Sequence, residues 1–173
     1  SSKEDLLRLA LARALTAVPA SQKTHILKPL LSDIRKAVRV AAAQALVDAS
    51  TSVTNSQLFK AAFDELMIDH EVNSWRGEGR LNQGNLSLRQ GKMDDAIAAY
   101  KAAIEVEPYF DLGYINLADL YRSRQLVTDV ATTLEQGMAA VPTSGTLKYA
   151  YGQHLIRQKQ AHKSVKHFND AYR

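Results

Sequence analysis

The fold of this chain is decided by residues 112–142, which read LGYINLADLYRSRQLVTDVATTLEQGMAAVP. The same pattern of small, large and proline positions recurs at an offset of 34 residues. The aligned positions are the small residues Gly84, Ala118 and Gly152, the large residues Tyr100, Leu134 and Phe168, and the prolines Pro108 and Pro142. A fixed period of this length is typical of stacked helix pairs that bury a continuous core only against their neighbours. We therefore predict an all-α fold, a right-handed α-α superhelix (solenoid) of antiparallel helix pairs.

Three copies of the pattern divide the last part of the chain into residues 77–110, 111–144 and 145–173. Each copy is expected to contain a first helix, A, and a second helix, B. The A helices are predicted at 79–90, 112–124 and 146–158, and the B helices at 94–106, 128–140 and 162–172. Asp94 and Thr128 are the predicted N-caps of the first two B helices, because their side-chain oxygens can accept backbone N–H bonds. Pro108 and Pro142 are predicted to stop the same helices.

These three units resemble tetratricopeptide repeats. The second copy matches best, through Tyr114, Leu117, Ala118, Tyr121, Leu134, Gly137 and Pro142. The first copy departs from the family pattern at Arg80, Gln83 and Ser87, where large apolar residues are usual. The resemblance implies a non-catalytic scaffold that binds a peptide or protein on the concave face lined by the A helices.

Carried over position by position, the resemblance places a set of partner-binding residues on the A helices. The set is Leu81, Asn85, Leu88 and Arg89 in the first copy, Ile115, Asn116, Asp119 and Arg122 in the second, and Tyr149, Gln153 and Arg157 in the third. Arg89, Arg122 and Arg157 fall near one edge of successive helices. Guanidinium groups pair bidentately with carboxylates, so this stripe favours an acidic partner. Ordinary exposed helix arginines are the alternative explanation.

Asn85 and Asn116 also match two positions with which some chaperone-binding repeats hold a C-terminal carboxylate. The cations that complete that clamp are missing, since Leu81, Thr146 and Ala150 stand in their places. Without those cations the charge-assisted part of recognition is lost. We therefore do not expect a chaperone tail as the partner.

Residues 1–50 contain a different repeat, in which 7–15 superimposes on 38–46 at an offset of 31. A further helical pattern covers 24–31, and Asp33 lies in a turn where its carboxylate can accept backbone N–H bonds. This segment resembles a HEAT-like repeat, through Asp33, Val38, Arg39, Ala42, Ala43, Ala45 and Leu46. Ile34 stands where that family often has proline. The small residues predict closely packed helices.

Residues 51–76 follow neither period and are predicted to be a bridging helix and linker between the two arrays. The Ser/Thr/Asn-rich stretch 50–56 favours a loop or a helix cap. Apolar residues at three- and four-residue spacing then predict an amphipathic helix: Leu58, Ala61, Ala62, Leu66 and Met67.

The composition limits the available chemistry. The chain has 173 residues, of which 46% are hydrophobic and 23% charged, and it contains no cysteine. Disulfides, cysteine nucleophiles, thiolate metal sites and covalent haem attachment within the chain are therefore excluded. No two of the five histidines have i, i+3 or i, i+4 spacing, and no nucleophile can be paired with a base. We predict no metal, no other cofactor and no enzyme activity.

The net charge of +4 is distributed unevenly. Residues 1–50 carry eight Lys/Arg and four Asp/Glu, residues 51–144 carry eight and thirteen, and residues 145–173 carry six and one. Basic ends of this kind could attract nucleic acid, which is a minor alternative because no aromatic residues are interleaved with the basic ones. No apolar run is long enough to span a membrane, so we expect no membrane partner.

The order of the segments is similar to the C-terminal region of bacterial multihaem cytochrome c-like proteins. Residues 30–33, 38–39, 107–110 and 116–121 carry that likeness. It implies an accessory domain of an exported redox protein in the periplasm; without it, a cytoplasmic protein is expected, and the location stays open. The apolar helix at 5–18 and the last repeat lack capping neighbours, which predicts either a piece of a longer protein or a homo-oligomer.

Overall fold

The computed structural model describes residues 2–172, and none of these residues is in a β-strand. The all-α prediction is therefore confirmed. The chain forms two compact units, the first containing residues 2–72 and 89–91 and the second containing residues 73–88 and 92–172. The first boundary follows residue 72, whereas the predicted bridging segment extends to 76.

The first unit is built around an alanine-rich helix. Its helices are α1 Lys3–Ala14, α2 Ala20–Leu27, α3 Lys36–Ala45, α4 Thr51–Thr54 and α5 Gln57–Val72, with 3-10 segments at Leu15–Ala17 and Lys28–Ser32. Helices α1 and α5 both pack against α3. The buried face of α3 consists of Val38, Ala41, Ala42, Ala43 and Ala45, and these small side chains allow both neighbours to approach closely. The amphipathic helix predicted after residue 57 is α5.

The helical pattern predicted at 24–31 is divided in the structure. The α-helix ends at Leu27 and a 3-10 segment follows, with Pro29 in its first turn. Proline lacks the backbone N–H and clashes with the preceding turn, so α2 cannot continue through it.

An ion-pair network joins α1 to the turn before α3. Asp33 accepts the backbone N–H of Arg35 at 2.8 Å, as predicted, and also accepts from Arg8 Nε at 2.6 Å. Asp5 accepts from Arg8 at 2.9 Å and from Arg35 at 2.8 Å. The backbone N–H of Ser2, which donates to Asp5, is the main reason that the pKa of Asp5 falls to about 2.

Arg39 ties the same turn to α5. Its Nη1 donates to the backbone carbonyls of Asp33 at 2.7 Å and Ile34 at 3.2 Å. Its Nε and Nη2 donate to the two carboxylate oxygens of Glu65 at 3.0 and 2.5 Å. This fork geometry uses the planar guanidinium in a way that a lysine could not reproduce.

The second unit is formed by three helix pairs. The A helices are α6 Gly77–Arg89, α8 Asp111–Ser123 and α10 Gly145–Arg157; the B helices are α7 Met93–Val106, α9 Val127–Ala140 and α11 Ala161–Ala171. Every bound lies within two residues of its prediction. Helices α7 and α9 each end two residues before a proline, as expected.

The predicted N-caps Asp94 and Thr128 are wrong. Helices α7 and α9 begin at Met93 and Val127, so both residues lie inside the first helical turn. The residues at the cap positions make no side-chain cap hydrogen bond.

The turn between the A and B helices explains this difference. In each copy the chain passes through a residue with positive φ, and these residues are 34 positions apart: Gly91, Gln125 and Lys159. The backbone N–H of the next residue donates to the carbonyl five residues earlier, at 2.9, 3.0 and 2.8 Å. This left-handed termination satisfies the end of the A helix through the backbone, and the B helix starts immediately after it.

The predicted small and large positions do contact each other within each repeat. A Cβ atom added to Gly84 would lie 2.4 Å from the Tyr100 ring, and one added to Gly152 would lie 2.7 Å from the Phe168 ring. In the second copy, Ala118 and Leu134 belong to one core cluster, and Leu134 is smaller than the aromatic residues at its position in the other two copies. Glycine is therefore present where the facing side chain is aromatic, and alanine where it is leucine.

Candidate functional site

The predicted partner-binding residues lie on the A helices of the second unit, where α8 contacts α10. We call the accessible members of this set the A face. They are all exposed or half-buried: Asn85, Leu88, Ile115, Asn116, Asp119, Arg122, Tyr149, Gln153 and Arg157. Two other predicted residues of α6, Leu81 and Arg89, are not part of the A face.

Leu81 is part of the core. It is 8% exposed and packs in one cluster with Tyr100 and Leu117. Burying this leucine side chain stabilises the packing of α6, α7 and α8. It is not accessible to a partner, which corrects its predicted binding role.

Arg89 does not continue the arginine stripe. Its Nη1 donates to the carbonyl of Gln44 at 2.6 Å, and its Nη2 donates to the carbonyl of Ala45 at 3.0 Å and to Asp48 at 3.2 Å. Residues 89–91 accordingly group with the first unit. The guanidinium caps the C-terminal end of α3 instead of facing a ligand. It donates hydrogen bonds to carbonyl groups that have no hydrogen-bond partner within the helix.

The two asparagines, which occupy different positions of their repeats, are joined by a hydrogen bond. Asn85 Oδ1 accepts from the Tyr100 hydroxyl at 2.7 Å and from Asn116 Nδ2 at 3.4 Å. Burial raises the pKa of Tyr100, so its hydroxyl stays protonated and remains a donor. The Asn85 side chain is therefore fixed by a residue of the B helix behind it.

The basic edge of the A face consists of Arg122 and Arg157. Arg122 Nη1 donates to Asp119 on the same helix, while its buried Nε has no hydrogen-bond partner. His154 lies close to both arginines and is 5% exposed. Its pKa is lowered, first by burial and then by the charges of Arg122 and Arg157, although Glu135 opposes the shift. The edge thus combines two guanidinium groups with an imidazole whose charged form is disfavoured.

The sequence contains a signal for His154 that the position-by-position prediction missed. Residues 86, 120 and 154 occupy one repeat position, and the first two are Leu86 and Leu120. All three residues are buried. Replacement of a buried leucine by a titratable side chain in only one copy marks the third repeat as chemically different.

Aromatic and titratable side chains surround His154. Tyr151 stacks on His154 with ring centroids 6.0 Å apart and meets the His167 ring edge-on at 4.8 Å. The Tyr151 hydroxyl donates to Glu135 at 2.5 Å, and burial raises its pKa to about 12. On the other side of α10, Tyr149 packs against Phe168 at 5.4 Å.

Within residues 2–172 no group of three or more His, Asp or Glu side chains is arranged to hold a metal ion. No helix in that range is long and apolar enough to cross a membrane.

No protein-family model matches this sequence, and no curated protein matches it. Solved structures of similar fold include structures of MamA. One has a TM-score of 0.53 at 14% identity and covers 88% of this chain and 84% of its own. A second has a TM-score of 0.53 at 16% identity, with 87% and 91% covered. A third, MamA AMB-1, has a TM-score of 0.52 at 14% identity, with 95% and 93% covered.

The fold is a tetratricopeptide-type helical repeat. At these identities the likeness shows the fold alone. The HEAT-like resemblance of the first unit and the similarity to cytochrome-like proteins stay predictions.

Proposed function

We propose that this protein is a non-catalytic interaction scaffold that binds a peptide or protein segment along the A face. The observation that carries the proposal is the contact between Asn85 and Asn116 on successive A helices, fixed from behind by Tyr100. The polar side chains of one repeat are thereby aligned with those of the next.

The orientation of Asn85 suits recognition of a peptide backbone. Its Oδ1 already accepts two hydrogen bonds, so the Nδ2 group is the part of the amide that can serve a ligand. An amide N–H₂ donates to a peptide carbonyl without requiring a particular side chain. Because Tyr100 holds the amide in place, binding does not have to order it, and that lowers the entropic cost.

The two arginines of the A face favour an acidic partner. Arg157 is exposed and Arg122 is half-buried, with one buried nitrogen that has no partner. Both can offer paired N–H groups to a carboxylate. Asp119 competes for Arg122 in the free protein, so Arg157 is expected to contribute more to the affinity.

The test is a selection of peptides from a random display library on the full chain, followed by affinity measurements on the enriched peptides. We expect enrichment of acidic sequences. Arg157→Glu and Asn116→Ala should each weaken binding about ten-fold. Lys163→Glu is the matched control. It makes the same charge change at an exposed position of α11, outside the A face, and should leave the affinity unchanged. Peptides that bind Arg157→Glu and the native chain equally would refute this use of the A face.

Nucleic-acid binding through the basic N-terminal end is disfavoured by the ion pairs of the first unit. Of the eight Lys/Arg residues in 1–50, five form ion pairs with carboxylates: Arg8, Lys23, Arg35, Lys36 and Arg39. Paired cations release few counterions when a phosphate approaches. Binding of an oligonucleotide that weakens steeply with added salt would contradict this argument.

A second candidate is an accessory domain of an exported multihaem cytochrome-like protein. The observation that favours it is the turn before α3, where Asp33 accepts the N–H of Arg35 and Arg39 donates to two turn carbonyls. These contacts support the role that the HEAT-like resemblance assigns to Asp33 in this turn. The deciding observation is the sequence of the gene upstream of Ser1. Haem-attachment motifs and an export signal there would support this candidate, and an upstream coding region without them would eliminate it.

A further inference from the structure

A cavity of about 350 Å³ opens between helices α7, α8 and α9. Its floor is apolar and its rim is polar. The lining residues include Ile104, Leu117 and Tyr121 at the floor and Lys101, Thr132 and Gln136 at the rim. A volume near 300 Å³ is the lower limit for small-ligand sites, and suits one large side chain.

The cavity lies on a different side of α8 from the A face. Successive residues of an α-helix are separated by about 100°, so Leu117 and Tyr121 point away from Asn116, Asp119 and Arg122. The cavity is therefore not explained by the proposed A-face function.

The next repeat shows what fills such a space. The equivalent positions in the third repeat lie 34 residues later in the sequence. Tyr151 is equivalent to Leu117, Glu135 to Lys101 and His167 to Thr133. These three equivalents contact one another: the Tyr151 hydroxyl donates to Glu135 at 2.5 Å and its ring meets the His167 ring at 4.8 Å. A phenol ring thus occupies the space between α9, α10 and α11 that corresponds to the open cavity.

The third repeat has the smaller Leu155 at the position of Tyr121, but at the other lining position of α8 the second repeat has Leu117, which is shorter than the equivalent Tyr151. Leu117 and Tyr151 project from the same position of an A helix towards two B helices. Leu117 fills only the floor, and it is 4% exposed in its core cluster.

We infer that the cavity between α7, α8 and α9 is a binding site for a tyrosine side chain of a protein partner, inserted where Tyr151 lies in the next repeat. The ring lies across the cavity on Leu117, Ile104 and Tyr121, so that the hydroxyl reaches the polar side chains of the rim and hydrogen-bonds there. Aromatic anchors that fill a pocket are the usual source of binding energy at protein interfaces.

The charge of the rim defines the partner further. Lys101 is the cation, while Glu105 and Asp129 are carboxylates, which leaves a net charge of −1. A phenol hydroxyl can donate to either carboxylate, as Tyr151 does to Glu135. A phosphorylated tyrosine would be repelled, and basic residues beside the tyrosine would be attracted. The site accordingly selects an unmodified tyrosine flanked by lysine or arginine.

The experiment follows backbone amide chemical shifts of the isotope-labelled full chain during titration with acetyl-Lys-Tyr-Lys-amide. Saturable shifts are expected at Lys101, Thr132, Thr133 and Gln136, with a dissociation constant of about 1 mM for a ligand this small. The leucine analogue, acetyl-Lys-Leu-Lys-amide, and the phosphotyrosine analogue should each bind about ten-fold more weakly.

Two variants block the cavity by different routes. Leu117→Tyr copies the third repeat and fills the space from within, while Thr132→Trp covers it from the exposed rim and leaves the core untouched. Both should abolish the shifts. Thr146→Trp, at an exposed position on α10, is the matched control and should retain them. If Leu117→Tyr fails to fold, Thr132→Trp alone decides the test.

Several results would overturn the inference. These are persistent binding in a folded Leu117→Tyr or Thr132→Trp protein, equal binding of the leucine peptide, tighter binding of the phosphorylated peptide, and binding of p-cresol without binding of the peptide. The outcome is independent of the A face, because Arg157→Glu should not change these shifts.

Discussion

Substitution of Gly84 by alanine tests the packing rule that sets the repeat. The new Cβ would lie 2.4 Å from Tyr100 Cε1 and 2.6 Å from Cδ1, where ordinary contacts begin near 3.4 Å. Tyr100 is 1% exposed and its hydroxyl is bonded to Asn85, so the ring cannot move aside easily. Overpacking of this kind costs about 1–3 kcal/mol, and the better helix propensity of alanine returns about 1 kcal/mol. We expect a net loss of about 0–2 kcal/mol in the free energy of unfolding.

The second repeat supplies the compensating change, because it pairs Ala118 with Leu134. Tyr100→Leu alone should cost about 2–3 kcal/mol, through a cavity and a lost hydrogen bond. In the double variant, Gly84→Ala with Tyr100→Leu, the clash disappears. The double variant should therefore lose about 1–2 kcal/mol less free energy of unfolding than the sum of the two single losses. Urea unfolding of the four proteins, followed by circular dichroism, measures this coupling energy.

Gly91→Ala provides the control for the loss of a glycine. A Cβ there meets nothing within 4 Å, and φ is +75°, so its cost of about 1 kcal/mol comes from backbone strain alone. It should be additive with Tyr100→Leu. Additivity of Gly84→Ala with Tyr100→Leu to within about 0.5 kcal/mol would show that contact between these positions does not determine the choice of glycine.

Three further predictions concern buried and paired charges. The pKa of His154 is lower in the folded protein than its unfolded value of about 6.5. The unfolded state therefore binds more protons, so stability should be complete above that value and fall with decreasing pH below it; His154→Leu should flatten this dependence in urea titrations at several pH values. Lys23 is fully buried against Asp48 at 2.9 Å, so Asp48→Ala should cost about 1–3 kcal/mol in thermal unfolding while Lys23→Met stays nearly neutral. Arg39→Lys should lose about 1–2 kcal/mol, because lysine cannot bond both oxygens of Glu65, and Arg39→Lys unfolding like the native protein would contradict the fork geometry.

The helices of the second unit could be predicted closely from the sequence, because apolar periodicity and prolines determine them locally. The B-helix caps could not. The A-to-B turn depends on a residue with positive φ in each copy. Only at Gly91 does the residue type itself indicate this conformation, because glycine adopts it readily. Gln125 and Lys159 adopt it because the repeat geometry around them requires the same turn, and nothing in their side chains predicts it.

The candidate site was predictable in position but not in its contacts. The sequence placed Asn85 and Asn116 on successive A helices but did not predict the hydrogen bond between them. The sequence did not predict that Arg89 would bond to the carbonyls of residues 44 and 45, since those residues are more than forty positions away. It also did not separate Leu81 from its accessible neighbours, because one turn of a half-buried helix presents apolar side chains both to the core and to solvent.

Comparison of equivalent repeat positions shows where the chain departs from what packing requires. Leu86 and Leu120 show that a leucine fits their shared position, yet the third repeat has the buried His154 there. An imidazole at such a position costs free energy, because burial disfavours its charged form, and the nearby arginines increase that cost. The same helix carries Tyr151 where the second repeat has Leu117 and leaves a cavity. At residue 154 the chain has a titratable side chain where leucine would serve packing, which is expected where a residue has a role in binding. The second repeat, which carries the cavity and Asn116, and the third, which carries His154, are therefore the parts of this protein at which partner recognition should be sought first.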